Sequence, residues 1–181
     1  MSLRTTRFKL AACTVGAVAA ATLALGTTPA AASGTYSGLA YVYGADTYTD
    51  DWGNEGVLST STNTNSNATC LWQKILWADG FLSSASDIDG RFGSDTKAAT
   101  EDLQRYFALG VDGSVGQETF GHMDKWLYFV SGSTADGSTA NLRYDGIAHD
   151  FTLSRNADGN YAFTDGDGTT RLAGYNYRTC S

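Results

Sequence analysis

Asp89-Gly90-Arg91-Phe92-Gly93-Ser94-Asp95-Thr96 returns further along the chain as Asp112-Gly113-Ser114-Val115-Gly116-Gln117-Glu118-Thr119. Both stretches read D-G-x-[F/V]-G-x-[D/E]-T. An Asp-Gly step suits a tight turn, because glycine takes positive φ at little steric cost. The aspartates Asp89 and Asp112 are expected to accept backbone N–H groups and fix each turn. Phe92 and Val115 read as plugs for a core, and Thr96 and Thr119 as backbone partners near helix starts. Each acidic-Thr pair leads into an apolar pattern of helical period. The repeat is therefore one loop-to-helix unit used twice, with no catalytic chemistry built into it.

Working outward, three helices are expected. In the first, about Ala68 to Asp79, residues Ala68, Leu71, Trp72, Ile75 and Leu76 share one face. Asn67 is placed to cap its start, and Gly80 to end it in the left-handed conformation. The second runs from about Ser94 to Ala108, with Ala99, Leu103, Tyr106 and Phe107 on one side. The third runs from about Gln117 to Val130, with Phe120, Met123, Leu127 and Val130 aligned. Ser131 to Gly137 reads as a linker. The period then shifts to two, and short strands are expected around 142–144, 149–153, 161–164 and 171–177. Asp158-Gly159 and Asp165-Gly166-Asp167-Gly168 mark the turns between them. Residues 39–43 form a further candidate strand for the same sheet. The fold class is α+β: a small three-helix bundle over 68–130, with a short antiparallel β-sheet over 131–181 packed on it. Residues 33–67 form a polar N-terminal segment.

Residues 1–32 read as a secretory signal. Arg4, Arg7 and Lys9 precede the apolar run Leu10–Leu25, and Ala30-Ala31-Ala32 offers a small-residue cleavage site. Cys13 sits before the apolar stretch, which argues against lipid attachment there. The run is also short and alanine-rich for a membrane span, which needs about 20 apolar residues. Losing those three cations takes 12 basic side chains to 9 against 19 acidic ones, a net charge of about −10. That excess argues against nucleic acid, whose phosphates need a basic surface, and against adhesion to anionic membranes. Cys70 and Cys180 remain as the only pair in a secreted chain, so a disulfide between them is expected. A catalytic thiol is the alternative, without a nucleophile context around either cysteine.

Residues 69–127 resemble the peptidoglycan-binding domain found on many bacterial wall hydrolases. Trp72-Gln73, Leu76 and Gly80-Phe81 match its first half, and 89–96 its first loop. Leu103-Gln104, Leu109 and 112–120 match the rest. The resemblance implies a secreted module that binds peptidoglycan and lies at the cell wall. Ala108 departs from it, standing where the family has glycine; Gly110 is a candidate for the helix-ending role. Met123 replaces a usual leucine, and 81–89 is a longer loop.

Within that frame the candidate peptidoglycan-binding residues are Asp89, Arg91, Ser114, Tyr106 and Trp126. Arg91 occupies the variable motif position, where a guanidinium can pair with a stem-peptide carboxylate. Ser114 is its counterpart in the second loop. Tyr106 and Trp126 (with Trp77 as a further candidate) offer faces for sugar stacking if exposed. Asp89 is also expected to serve the scaffold. No catalytic residue, cofactor or metal is assigned. His122 and His149 lack metal-ligand spacing. Asp46, Asp50, Asp51 and Glu55 are the densest acidic group, with calcium as a lesser possibility. The expected protein is a monomeric, non-catalytic wall binder. A wall hydrolase with carboxylates in the flanking regions, and a secreted protein-binding or inhibitor protein, remain as alternatives.

Overall fold

The computed structural model describes residues 38–180, so the signal expected at residues 1–32 lies outside it. The described residues are α+β, with three α-helices and one antiparallel sheet in the order β1-β2-β3-β4-β5. Helices and sheet fall in one unit.

Ser66 opens the first helix, α1 (Asn67–Ala78), by accepting the Thr69 N–H on its hydroxyl at 3.0 Å. Ser66, and not Asn67, is thus the cap. Asn67 is committed elsewhere: its amide donates to Leu172 O at 3.0 Å and accepts Thr179 N–H at 2.8 Å. α1 is the hub of the core, with Leu71, Trp72, Ile75 and Leu76 fully buried. Cys70 on α1 is bonded to Cys180, tying the chain's end to the hub.

The second helix, α2 (Ser94–Tyr106), buries Ala99 and Leu103. Tyr106 does not join them; it is 64% exposed. The helix stops there, and the ring lies against Phe81 and Phe107 at the surface. Both helices end in one way. Gly80 N–H donates to Trp77 O (3.1 Å) and Phe81 N–H to Leu76 O (2.8 Å). Ala108 N–H donates to Arg105 O (3.2 Å) and Leu109 N–H to Gln104 O (2.8 Å). This paired bond pattern requires a left-handed residue after the cap. Gly80 supplies it at φ +81°, and Ala108 at φ +55°. Gly110 does not take over; alanine itself adopts the strained conformation.

The third helix is shorter than its sequence period suggests. α3 (Gln117–Met123) passes through a 3-10 turn, Asp124–Trp126, directly into strand β1 (Leu127–Gly132). Leu-Tyr-Phe-Val suits a pleated strand, and Leu127 pairs with Tyr144 in β2. Leu127 is buried as a strand residue, so its place in a helical pattern misled; Val130 is 58% exposed. Ser131 and Gly132 complete β1, so the linker expected from Ser131 is in its first two residues strand.

Strands β2 (Ala140–Asp145), β3 (Asp150–Arg155), β4 (Tyr161–Thr164) and β5 (Thr170–Leu172) follow. The two Asp-Gly turns fall where expected, with Gly159 and Gly168 each at φ +82°. The last strand stops at Leu172, short of Tyr177. Beyond it Gly174 forms a bridge with Tyr41, so residues 39–43 meet the sheet as isolated bridges rather than as a full strand. The sheet's inner face, including Leu142, Tyr144, Leu153, Tyr161 and Phe163, is buried.

The polar N-terminal segment contributes to the core. Trp52 is fully buried and meets Phe120 and Tyr161 edge-on at 5.4 and 5.3 Å. Its 3-10 turn, Asp51–Asn54, lies so close to α3 that a Cβ on Gly121 would stand 2.7 Å from Gly53 Cα. Behind it lies a buried polar cluster. Asp51 accepts from Arg155 at 2.7 Å and from Tyr161 OH at 2.5 Å. Glu55 accepts from Tyr43 N–H at 2.7 Å and Tyr175 OH at 2.6 Å.

Candidate functional site

Two glutamines build the two motif loops. Gln73, on α1, is 1% exposed. Its Nε2 donates to Asp89 Oδ1 (3.0 Å), Arg91 O (3.1 Å) and Thr96 Oγ1 (3.0 Å). Its Oε1 accepts Gly90 N–H at 2.7 Å. Gln104, on α2, repeats the pattern. Its Nε2 donates to Asp112 Oδ1 (2.9 Å), Ser114 O (2.9 Å) and Thr119 Oγ1 (3.1 Å), and its Oε1 accepts Gly113 N–H at 2.9 Å. Within each loop the aspartate accepts the N–H two residues on, Arg91 at 2.9 Å and Ser114 at 2.8 Å. One primary amide thus satisfies a whole turn, using both its donor and acceptor sides. The glutamines stood at the same helical place before both repeats, yet their role as hubs was not drawn from the sequence. The eight-residue motif ends before reaching them.

The loops are strapped from outside by the N-terminal segment. Asn65 bridges Arg91, and Leu58 bridges Val115. Phe92 and Val115 are buried plugs, as their repeat position suggested. The first loop has a second buttress that the other lacks. Arg178 donates to Asp89 O at 2.8 Å, and a Cβ on Gly90 would fall 2.6 Å from Cys180 Sγ. Only glycine admits the disulfide end at that distance, so the tail rests directly on the loop carrying Arg91.

A cleft opens beside each loop. The first, about 690 Å³, is lined by Asp89, Arg91, Gly93, Ser94 and Asp95, with Phe81, Asp87 and Asp102 among its other walls. The second, about 470 Å³, is lined by Asp112, Ser114, Gln117 and Glu118 with Val111. A third hollow, about 300 Å³ on the sheet, has no charged side chain in its lining.

Arg91 is exposed in the first cleft. Among the described arginines, Arg105, Arg143, Arg155 and Arg171 form ion pairs, and Arg178 bonds backbone carbonyls. Among the described residues no side-chain hydrogen bond or ion pair holds the Arg91 guanidinium, although four aspartates share its cleft.

The structure therefore brings Asp89 and Arg91 together and places Ser114 in the other cleft. Tyr106 reaches the first cleft's edge through Phe81, 5.8 Å between ring centroids. Trp126 lies further along, joined through Phe107 at 6.2 Å, and is 37% exposed. Trp77 is partly buried and stacks on His149 at 4.2 Å. Phe81, which connects the aromatics to the cleft, was missed as a site residue because it matched as a helix-end position.

Burial pushes the Glu55 carboxyl up to about 7, against the bonds from Tyr175 and Tyr43. Asp124 is also pushed up to about 7 by burial, against the Trp52 N–H bond at 3.1 Å and the charge of Lys125. Such values suit a general acid. However, Glu55 is fully buried and Asp124 is 1% exposed, and neither lines any of the three clefts. The two buried carboxylates of the acidic group 46–55 are taken up by protein partners, Asp51 by Arg155 and Glu55 by Tyr175. Among the described residues no three His, Cys, Asp or Glu side chains gather as metal ligands, and no helix is long and apolar enough to cross a membrane.

No curated protein and no solved structure matches the chain. Residues 65–123, which hold both motif loops and run from the strap at Asn65 to the end of α3, match the family described as putative peptidoglycan binding domain.

Proposed function

We propose that the protein is a secreted, non-catalytic binder of bacterial cell-wall peptidoglycan, acting as a monomer through the first cleft. The observation that carries this reading is the unpaired Arg91 guanidinium in a cleft of about 690 Å³ within the matched domain. A guanidinium left free beside an open cleft is available for bidentate pairing with a carboxylate, the group that peptidoglycan stem peptides present. Asp89 serves by holding the loop. Tyr106 and Trp126 supply ring faces beside the cleft for sugar C–H surfaces. Ser114 offers a neutral hydroxyl in the second cleft. Secretion accords with the signal read at residues 1–32 and with the Cys70–Cys180 bond.

The test is co-sedimentation of the purified, disulfide-closed protein with peptidoglycan stripped of acidic polymers, with released fragments monitored. Pelleting without release, weakened by Arg91→Ala, is the expected result. Release of soluble fragments would instead make it a hydrolase, and no pelleting at any salt concentration would remove the wall-binding reading. The protein-partner reading draws on one observation, the exposed Tyr128, Phe129 and Val130 on edge strand β1, since exposed apolar edges favour pairing with another chain.

A further inference from the structure

We infer that the first cleft selects a peptide end bearing both a carboxylate and a free amine, in preference to a bare glycan or an anionic polymer. This rests on the wall-binding reading and names the part of the wall that is read. The argument begins from charge. Asp87, Asp89, Asp95 and Asp102 line the cleft with Arg91 as the one cation. An anionic polymer meets a net negative wall there and is repelled. A neutral glycan can stack on the rings beside the cleft and hydrogen-bond to its polar groups, but it forms no charge pair with either sign. A ligand with one negative and one positive group satisfies both.

The carboxylates have capacity to spare. Asp87 accepts one bond from Ser84 N–H at 3.2 Å, and Asp95 one from Ser94 Oγ at 3.1 Å. An ionised carboxylate offers about four lone-pair positions, so each retains sites for an ammonium. Asp89 and Asp102 are less available, being held by the loop and by Arg105 respectively. Arg91 pairs with none of the four, so its charge is reserved for something that enters. The volume fits a short peptide segment, as clefts of roughly 300–1,000 Å³ hold ligands of small-molecule size.

The molecule contains its own comparison. The second loop has the same glutamine-held frame, yet Ser114 stands in place of Arg91 and Glu118 in place of Asp95. With the frame equal, the arginine is a difference in recognition and not in folding. The first loop is also the one that the disulfide end supports.

The test uses titration calorimetry on the full disulfide-closed protein. The probes are a soluble stem tetrapeptide whose diamino acid has a free side-chain amine, its N-acetylated form, its C-terminal amide and a peptide-free glycan oligomer. Charge-assisted bonds at each end set the expected scale. Acetylation and amidation should each weaken binding about 10- to 100-fold, and the glycan should bind at least that much more weakly than the free peptide. Arg91→Ala should remove the preference for the free carboxylate. Asp87→Asn with Asp95→Asn should remove the preference for the free amine while the carboxylate preference remains. Equal affinity for the free and acetylated peptides overturns the inference, as does glycan binding as tight as that of the free peptide. If intact peptidoglycan still pellets the protein while no peptide binds, this inference fails and wall binding stands. If neither binds, both fail.

Discussion

Replacing Gln73 by leucine probes the side chain that gathers the polar groups of the first loop. Leucine occupies similar space, so the main loss is polar. The Gly90 N–H, now buried and bonded at 2.7 Å, loses its acceptor, and Arg91 O and Thr96 Oγ1 lose a donor. Each buried polar group left unsatisfied costs about 1–3 kcal/mol. Gly90 and Thr96 are buried, whereas Arg91 is exposed and its carbonyl has readier access to water. Thr96 Oγ1 keeps its bond to Arg91 O at 3.3 Å, so the Gly90 N–H is the buried group left without a partner. Its cost and about 1 kcal/mol for the bond Thr96 loses, offset by about 1 kcal/mol from the extra apolar burial, give a net loss of about 2 kcal/mol. Urea unfolding at neutral pH measures this, with the slope unchanged if only the native state is affected. Gln104→Leu should cost a similar amount, because its bonds match in kind and its one additional bond, from Asp112 N–H at 3.1 Å, comes from an exposed residue that water can serve. The two variants should differ in binding. At a temperature where both remain folded, Gln73→Leu should lose wall sedimentation and Gln104→Leu should keep it, because only the first loop presents Arg91. A loss below about 1 kcal/mol for Gln73→Leu would refute the hub argument. Loss of binding by Gln104→Leu alone would refute the assignment of the site to the first cleft.

Three further outcomes are expected. Ala108→Gly should raise stability by about 0.5–1 kcal/mol, since the left-handed cost of about 1–2 kcal/mol is relieved and partly offset by glycine's extra freedom when unfolded; a thermal melt with an unchanged or lower midpoint would contradict it. Glu55 has a folded pKa of about 7 against an ordinary 4.5, so between those values the native state holds a proton that the unfolded state has lost. Stability should therefore fall as pH rises from about 4.5 to about 7, by up to about 3 kcal/mol from this group, and a pH series of urea melts should show a smaller fall in Glu55→Gln. Reducing the Cys70–Cys180 bond, which closes a separation of 110 residues, should lower stability by up to about 5 kcal/mol. It should also weaken wall binding before global unfolding, because the tail rests on Gly90; retained binding at full reduction would sever that link.

The repeated octapeptide determined much on its own. Asp-Gly turns, apolar plugs and following helices are local features, and local sequence was enough to place them, together with the helix end at Gly80. The cysteine pair was readable because only two cysteines lie beyond residue 32. Alternation marked the C-terminal strands. Other features depended on contacts between distant segments. Leu127 fits a helical stripe and a strand equally well, and the pairing with Tyr144 in β2 decided for the strand. Ser66 won the cap over Asn67 because Asn67 is used by the tail, more than 100 residues away. The N-terminal segment looked polar, yet it buries Trp52 against Phe120 and Tyr161 and straps both loops. Arg91 was visible as the variable motif position. That it stays unpaired among four aspartates was not, because ion pairing depends on which charges the tertiary fold brings within reach. Periodicity records how one segment distributes its apolar side chains; it carries no information about which remote partner competes for them, and that competition was settled only in three dimensions.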